Sequence, residues 1–311
     1  MSEPRRASAI WQLRTRSLEL GVRTLVMGVV NITPDSFSDG GLYLVPEAAV
    51  AHGLQLLEEG ADLLDMGAES TRPGSRTGGT TDPPEATVSA EEEQARLLPV
   101  LKGILKARPD AVVSVDTYKA ATARAALEAG AEVVNDVSGF TWDKEMPSVC
   151  RRFGAGVVLM HTRGRPEEWR SQPRLAPDDL LALVREGLGA SLATALEAGI
   201  APERIVLDPG YGFGKRFGEN YALLARQAEL LALGRPLAVG LSRKSFLRHT
   251  MAELYGEKAS ADLLVQARER ASLAAMTAAI LAGASIVRVH AVREAVEAAG
   301  VADAILAARS Q

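Results

Sequence analysis

The chain of 311 residues is long enough for two ordinary domains or for a single (β/α)8 barrel, which commonly runs to about 250 residues or more. Its composition, 47% hydrophobic and only 5% aromatic, suits a large aliphatic core of parallel strands under covering helices. A net charge of −4 with both signs interspersed excludes a sequence-wide basic field for nucleic acid, and the single cysteine, Cys150, excludes an internal disulfide or a cysteine metal cluster.

No apolar stretch reaches the length of a membrane span, and Met1 to Leu20 lacks the apolar core of a secretory signal, so the chain reads as cytoplasmic with no membrane partner. Residues 1–23 form an N-terminal extension in which Ala9 to Leu20 can make a small hairpin closing the floor of a barrel; a frayed tail is the other reading. Residues 24–311 then carry eight short apolar runs: Leu25 to Val30, Leu63 to Met66, Ala111 to Val115, Val133 to Asn135, Gly156 to Met160, Ile205 to Leu207, Leu237 to Val239 and Ile286 to Val289. Amphipathic helical stretches separate them, as in βαβ units with right-handed crossovers, and eight such units close a TIM barrel. The alternative is an open doubly wound sheet, but no Gly-x-Gly-x-x-Gly opens the first helix.

Helix signals fit this frame. Pro46 starts a run to Glu59, Asp178 and Asp179 precede another helix, and Gly60, Gly130 and Gly199 fall where helices should stop. The loop after the first strand, Asn31 to Gly41, carries amide, hydroxyl and two carboxylates as well as Phe37, more than a simple turn requires. After the second strand, Gly74 to Ser89 is too long and polar for an ordinary connection and is expected to be a mobile loop.

Parallel strands of a barrel deliver their C-terminal ends to one face, so residues distant in sequence become neighbours there. Asn31, Asp116, Asn135, Asp136, Asp208, Arg243, Lys244, Arg288 and His290 all end or follow an apolar run. Each has a structural explanation alone, such as capping the next helix or a satisfied core histidine, but these fit the whole set less well. Two carboxylates, an amide and a lysine in an apolar-walled mouth suit a flat heterocycle with several donors and acceptors on one edge. Lys244 has a rival reading as a Schiff-base nucleophile. Arg288 and His290 occupy the region where barrels commonly bind phosphate, and Asn31 with Thr71 and Arg72 can complete an anion pocket. Four histidines, none paired at ligand spacing, argue against a tightly held transition metal, whereas Mg2+ carried by a diphosphate needs only one or two protein oxygens.

The text of several segments resembles the dihydropteroate synthase family. They are Asn31 to Gly41, Asp65 to Gly74, Ser114 to Lys119, Asn135 to Gly139, Leu159 to His161, Leu207 to Lys215, Gly240 to Ser245 and Arg288 to His290. The resemblance covers nearly the whole barrel and implies condensation of 6-hydroxymethyl-7,8-dihydropterin diphosphate with p-aminobenzoate to 7,8-dihydropteroate and diphosphate. It implies that Asp116, Asn135, Asp208 and Lys244 hold the pterin edge, with Met160 and Phe213 beside it and Arg288 against the ring. Asn31 would contact the Mg2+ diphosphate, and Thr71, Arg288 and His290 the leaving diphosphate. Phe37, Thr71, Arg72, Pro73 and Ser245 would shape the p-aminobenzoate site, with Asp35 ordering the first loop. The implied mechanism is early C–O cleavage to a stabilised pterin cation, followed by arylamine attack.

The chain departs from the family pattern at Ala291, where Asp commonly follows Arg-Val-His, and at Ala68, where Gly is usual. A methyltetrahydrofolate-dependent methyltransferase and a non-catalytic pterin-binding paralogue are the alternatives. The first does not require the Ser-Arg-Lys group, and the second is weighed against by the presence of Asp116, Asp208, Lys244, Arg288 and His290. The expected partners are the two small-molecule substrates and a second copy of the chain in a homodimer.

Overall fold

The computed structural model describes residues 6–32, 45–69, 88–256 and 260–309. Eight parallel strands close into a barrel: β3 (Leu25–Asn31), β4 (Leu63–Gly67), β5 (Val113–Asp116), β6 (Val133–Asp136), β7 (Gly156–Met160), β8 (Ile205–Asp208), β9 (Leu237–Val239) and β10 (Ala284–Val289). They are ordered as in the sequence, and β10 closes the ring by pairing with both β9 and β3. Ahead of them, β1 (Ala9–Gln12) and β2 (Ser17–Leu20) pair antiparallel, with Ala9 opposite Leu20.

Each strand is nearly continuous in buried apolar residues because a barrel strand is covered on both sides. Val26, Val30, Leu64, Met66, Val113, Val115, Val134, Val157, Leu159, Leu207 and Val287 belong to the core shared with the outer helices. The inner floor joins Leu25, Met27, Leu63, Val112, Val133, Val158, Val206, Ala238 and Ile286 to Trp11, Leu13 and Leu20 of the hairpin. Burial of the Leu, Ile, Val and Met side chains among them contributes about 1.5–3 kcal/mol each. Trp11 Nε1 donates to the Arg204 carbonyl at 2.9 Å, and the Thr15 amide donates to Glu132 Oε2 at 2.8 Å, fixing the hairpin across the floor.

The outer layer holds α1 (Val45–Glu58), α2 (Ala90–Ala107), α3 (Ala120–Glu128), α4 (Met146–Phe153), α5 (Pro177–Glu197), α6 (Phe217–Ala225), α7 (Ser245–Tyr255), α8 (Ala261–Leu281) and α9 (Val292–Ala308). Ser89 caps α2 by accepting the Glu92 amide at 3.1 Å. Helix α8 packs Ala275, Met276, Ala279 and Ile280 against the barrel.

Several sequence expectations shift, among them the last barrel strand, which begins at Ala284 rather than Ile286. The third barrel strand begins at Val113 rather than Ala111, and ends, as expected, at Asp116. Asp178 and Asp179 lie within the first turn of α5 rather than before it, because Pro177 takes the first helical position, where its missing N–H costs nothing. Among the described residues, no helix is long and apolar enough to cross a membrane.

Candidate active site

Side chains of a barrel strand alternate between the interior and the helix layer, so parity decides what reaches the mouth. In β3 the inward positions Leu25 and Met27 lead up to Asn31, the last residue of the strand. The same inward step places Asp65 above Leu63, Asp116 two steps above Val112, Asn135 above Val133, Met160 above Val158, Asp208 above Val206 and Arg288 above Ile286. Asp136 has the opposite parity. Its carboxylate accepts the amides of Ser138 at 2.8 Å and Phe140 at 2.9 Å, and burial raises its pKa to about 6 against those bonds.

Arg288 is the centre of a charged cluster. Its Nε donates to Asp65 Oδ2 at 2.5 Å and its Nη2 to Asp116 Oδ2 at 2.7 Å, while Asn135 Nδ2 donates to Asp65 Oδ2 at 3.0 Å. Asp65 is fully buried, and its Oδ1 has no hydrogen-bond partner. The Asp116 side chain keeps 21% of its surface exposed, so it can meet a ligand entering the mouth. Burial raises the Asp116 pKa to about 7; Arg288 opposes the rise and Asp65 reinforces it. Burial likewise opposes the charge on Arg288, but Asp65 and Asp116 outweigh it and hold the guanidinium protonated. Sequence reasoning gave Asp65 no role. Its signal was a charged residue inside an otherwise apolar strand.

The β8 loop supplies a second group. Gly210, Gly212 and Gly214 have φ of 69°, 83° and 69°, in the left-handed region that favours glycine. A Cβ on Gly210 would lie 1.9 Å from the His161 carbonyl oxygen, and one on Gly212 would lie 3.2 Å from Lys244 Cδ, so the loop is pressed against both neighbours. The Gly210 amide donates to Asp208 Oδ1 at 2.7 Å. Burial raises the pKa of Asp208, opposed by that bond and by Lys244 and Lys215. Lys244 Nζ stands 4.1 Å from the centroid of the Phe213 ring, and that ring meets Trp169 edge-on. Met160 is buried against the loop, with Cγ 3.1 Å from the Gly210 Cβ position.

Lys215, a second residue without an expected role, is buried beneath this loop and donates to the carbonyls of Gly210 at 2.8 Å, His161 at 3.2 Å and Phe213 at 3.3 Å. Burial lowers its pKa to about 7, with Asp208 opposing. A lysine closing a glycine-rich run reads in sequence as a surface residue.

At the β9 and β10 ends, His290 Nδ1 lies 3.0 Å from Ser242 Oγ, and the His290 amide donates to the same oxygen at 3.3 Å. Arg243 adopts φ 58°, held by its amide on Ser272 Oγ at 3.0 Å and its Nε on Glu269 Oε1 at 2.7 Å. Lys244 occupies the N-cap position of α7 and Ser245, which is exposed, is its first residue. Thus Asn31, Asp116, Asn135, Met160, Asp208, Phe213, Lys244, Ser245, Arg288 and His290 gather at the strand C-termini and the loops they enter. Asp35, Phe37, Thr71, Arg72 and Pro73 lie outside the described residues.

Behind β4 and β5 a further charged network forms. Lys119 Nζ donates to Glu69 Oε2 and, at 3.2 Å, to Glu93 Oε2, while Tyr118 Oη donates to Glu69 Oε1 at 3.0 Å. Among the described residues, no group of three or more His, Cys, Asp or Glu side chains is arranged to hold a metal ion.

Comparison with known proteins gives the family. The pterin binding enzyme model matches residues 27–290. Dihydropteroate synthase of Mycobacterium leprae (strain TN) is 43% identical over 288 residues, covering 92% of this chain and 95% of that protein. The solved structure of Xanthomonas albilineans dihydropteroate synthase with 4-aminobenzoic acid matches with a TM-score of 0.81 and 41% identity, covering 97% of this chain and 99% of the other. The enzyme of the same organism in complex with 7,8-dihydropteroate matches at 0.78 and 38% identity, covering 96% and 99%. With a parallel barrel whose mouth receives polar residues of inward parity from β3, β4, β5, β6, β8 and β10, and with relatives matched along nearly their full length, the chain belongs to the dihydropteroate synthase family of pterin-binding enzymes.

Proposed function

We propose that the mouth of the barrel condenses 6-hydroxymethyl-7,8-dihydropterin diphosphate with p-aminobenzoate, giving 7,8-dihydropteroate and diphosphate. The observation that carries this reading is the convergence of Asp116, Asn135, Asp208, Lys244 and Arg288 on one inward face above an apolar floor. Asp116 and Asp208 accept the N–H donors of the aminopyrimidine edge, Asn135 offers both a donor and an acceptor, and Lys244 donates to the ring carbonyl or ring nitrogen. Met160 and Phe213 flank the ring, and Arg288 lies against its face.

The reaction breaks the bond between the pterin methylene carbon and the diphosphate oxygen, whose electron pair leaves with diphosphate. The delocalised cation is stabilised by the carboxylates of Asp116 and Asp208, which have lost part of their hydration and so act at low local dielectric. Arg288 and His290, with Thr71, receive the departing anion. The arylamine lone pair then attacks the methylene carbon, and the amine proton passes to water. An arylamine is already a neutral nucleophile, so positioning does most of the work.

Mg2+ carried by the diphosphate would be held on the protein side by Asn31, and when bound it would supply charge neutralisation for the leaving group. The Asn31 amide oxygen, half-buried at the end of β3, is a hard neutral donor that fits an ion needing only one or two protein oxygens. For p-aminobenzoate, Ser245 at the N-terminus of α7 places hydroxyl and backbone N–H groups where a carboxylate is favoured. Phe37, Thr71, Arg72 and Pro73 complete that site, and Asp35 orders the first loop. A homodimer is inferred from the exposed apolar residues Leu254, Tyr255 and Val265 on α7 and α8, and light scattering tests it.

The test is diphosphate release by the purified protein given the pterin diphosphate and Mg2+, with and without p-aminobenzoate, beside Asp116→Asn and Lys244→Ala. Release coupled to 7,8-dihydropteroate formation, and lost in both variants, is expected. No product despite bound pterin would overturn the synthase reading, and release without incorporation of p-aminobenzoate would overturn the assignment of the second site.

A further inference from the structure

Lys215 presents a physical problem that the reaction just described does not use. Its ammonium is buried, yet it forms no ion pair among the described residues and is held only by the carbonyls of His161, Gly210 and Phe213. A buried charge without a counter-charge in contact is costly unless its hydrogen bonds do something a neutral side chain cannot. An ammonium has three donors, and here each finds a different carbonyl.

Two of the three acceptors bracket the pterin-facing part of the β8 loop. The Gly210 peptide is held at both ends, its N–H on Asp208 Oδ1 at 2.7 Å and its C=O on Lys215 at 2.8 Å. The Phe213 carbonyl is held by the same ammonium, and the Phe213 ring is the surface on which Lys244 rests. The third acceptor, His161, belongs to the neighbouring β7 loop, so the ammonium also ties the two loops together. None of the three glycines in this loop can hold its conformation by side-chain packing.

We propose that Lys215 is a positioning residue for the pterin site: its ammonium fixes the Gly210 peptide and the Phe213 backbone, and through them the Asp208 carboxylate and the aromatic platform beneath Lys244. The inference rests on the pterin-binding reading of Asp208 and Phe213. The charge has a second effect in the same direction, because a cation close to Asp208 favours its ionised form.

The decisive experiment compares wild type with Lys215→Met, which keeps the length and removes donors and charge. Pterin binding by wild type is measured first; absence of binding there would sink the functional reading rather than this inference. In Lys215→Met the KM for the pterin diphosphate is expected to rise roughly tenfold or more, the loss of hydrogen bonds to a charged donor, with the KM for p-aminobenzoate little changed. The acid limb of pterin binding is expected to move to higher pH, since Asp208 loses a neighbouring cation. A purely structural lysine would lower the melting temperature and weaken both substrates alike, without moving that limb. Lys215→Leu, which likewise lacks both the donors and the charge, is judged by the same criteria and serves if the methionine variant does not fold. Unchanged pterin KM and an unmoved acid limb in a folded variant would overturn the proposal.

Discussion

Arg288 and Asp65 are joined at 2.5 Å between Nε and Oδ2 across the inside of the barrel, with Asp65 fully buried. The carboxylate exposed to the mouth, Asp116, is therefore not the one that holds the arginine most tightly. Asp65 also receives Asn135 Nδ2 at 3.0 Å, so one buried group orients two residues of the proposed pterin site. Asp65→Asn is expected to lower kcat/KM for the pterin diphosphate by about 10²-fold, because the remaining amide can no longer accept the guanidinium as a charged partner. The stability loss is expected to be about 2–3 kcal/mol, since Arg288 keeps its bond to Asp116. Steady-state kinetics with a urea titration checks both. An enzyme of normal kcat/KM would mean that Asp116 alone positions Arg288.

The pKa of Asp116, raised to about 7 by burial, gives a pH signature. A protonated carboxyl presents a donor to the donors of the pterin edge, so affinity for a diphosphate-free pterin is expected to rise with pH, by roughly tenfold per unit well below the pKa, and to level above about 7. Using a ligand without diphosphate removes the titration of the leaving group. Folding stability has the opposite sign. The native state keeps a proton that the unfolded chain releases above its ordinary 3.8, so this contribution is complete below 3.8 and lost as pH rises through about 7. Calorimetric titrations across this range on wild type and Asp116→Asn check the assignment. Asp208, also raised, titrates in the same direction. Persistence in Asp116→Asn of the limb near pH 7 would mean that Asp116 is not its source.

The barrel was legible in the sequence because its strands are buried on both sides and stand out as short apolar runs between helical stretches. The hairpin was half legible: Ala9 to Leu20 read either as a hairpin closing the floor or as a frayed tail, and the groups that hold it there, the Arg204 carbonyl and Glu132, are brought beneath it only by the closed barrel. Proximity at the strand ends could be read from topology, as for Asn31, Asp208 and Arg288. Parity could not be read as easily. Asp136 and Asn135 are adjacent in sequence, yet one faces the helices and the other the mouth, a difference set by the pleat. Asp65 and Lys215 escaped because each acts on another protein group, and the partners, Arg288 and three backbone carbonyls, are fixed only by the closed ring and the β8 loop.

Lys119 carries a different consequence, for stability. Its ammonium bridges Glu69 and Glu93, whose side chains are 5% and 0% exposed, and Glu93 Oε1 has no hydrogen-bond partner. Lys119→Met removes the cation and leaves two carboxylates facing each other out of water, a loss of about 3–5 kcal/mol. Burial already raises the pKa of Glu69, and Lys119 restrains the rise. Without the lysine Glu69 takes up a proton at higher pH, so the deficit is expected to shrink as pH falls. Urea unfolding of wild type and variant at neutral and mildly acid pH decides it; a deficit of equal size at both would mean that lost packing, not charge, is the cause.

Ala291 stands at the N-cap of α9 with φ −100° and ψ 89° and makes no capping bond, while Glu294 already occupies the third helical position. The first turn of that helix therefore begins immediately after His290 with its amides unserved by the cap side chain. Ala291→Asp supplies an acceptor for the amides of Arg293 and Glu294 and places a negative charge at the positive end of the helix dipole. The gain is expected to be about 1 kcal/mol, which for a chain of this size raises the melting temperature by about 2 °C. The comparison is a thermal melt of the two proteins at neutral pH, repeated at acid pH, where protonation of the new carboxyl should erase most of the difference. If the melting temperature does not rise at neutral pH, the backbone at residue 291 holds the carboxylate away from the helix amides, and the uncapped start of α9 is a consequence of the way β10 delivers His290 to the mouth.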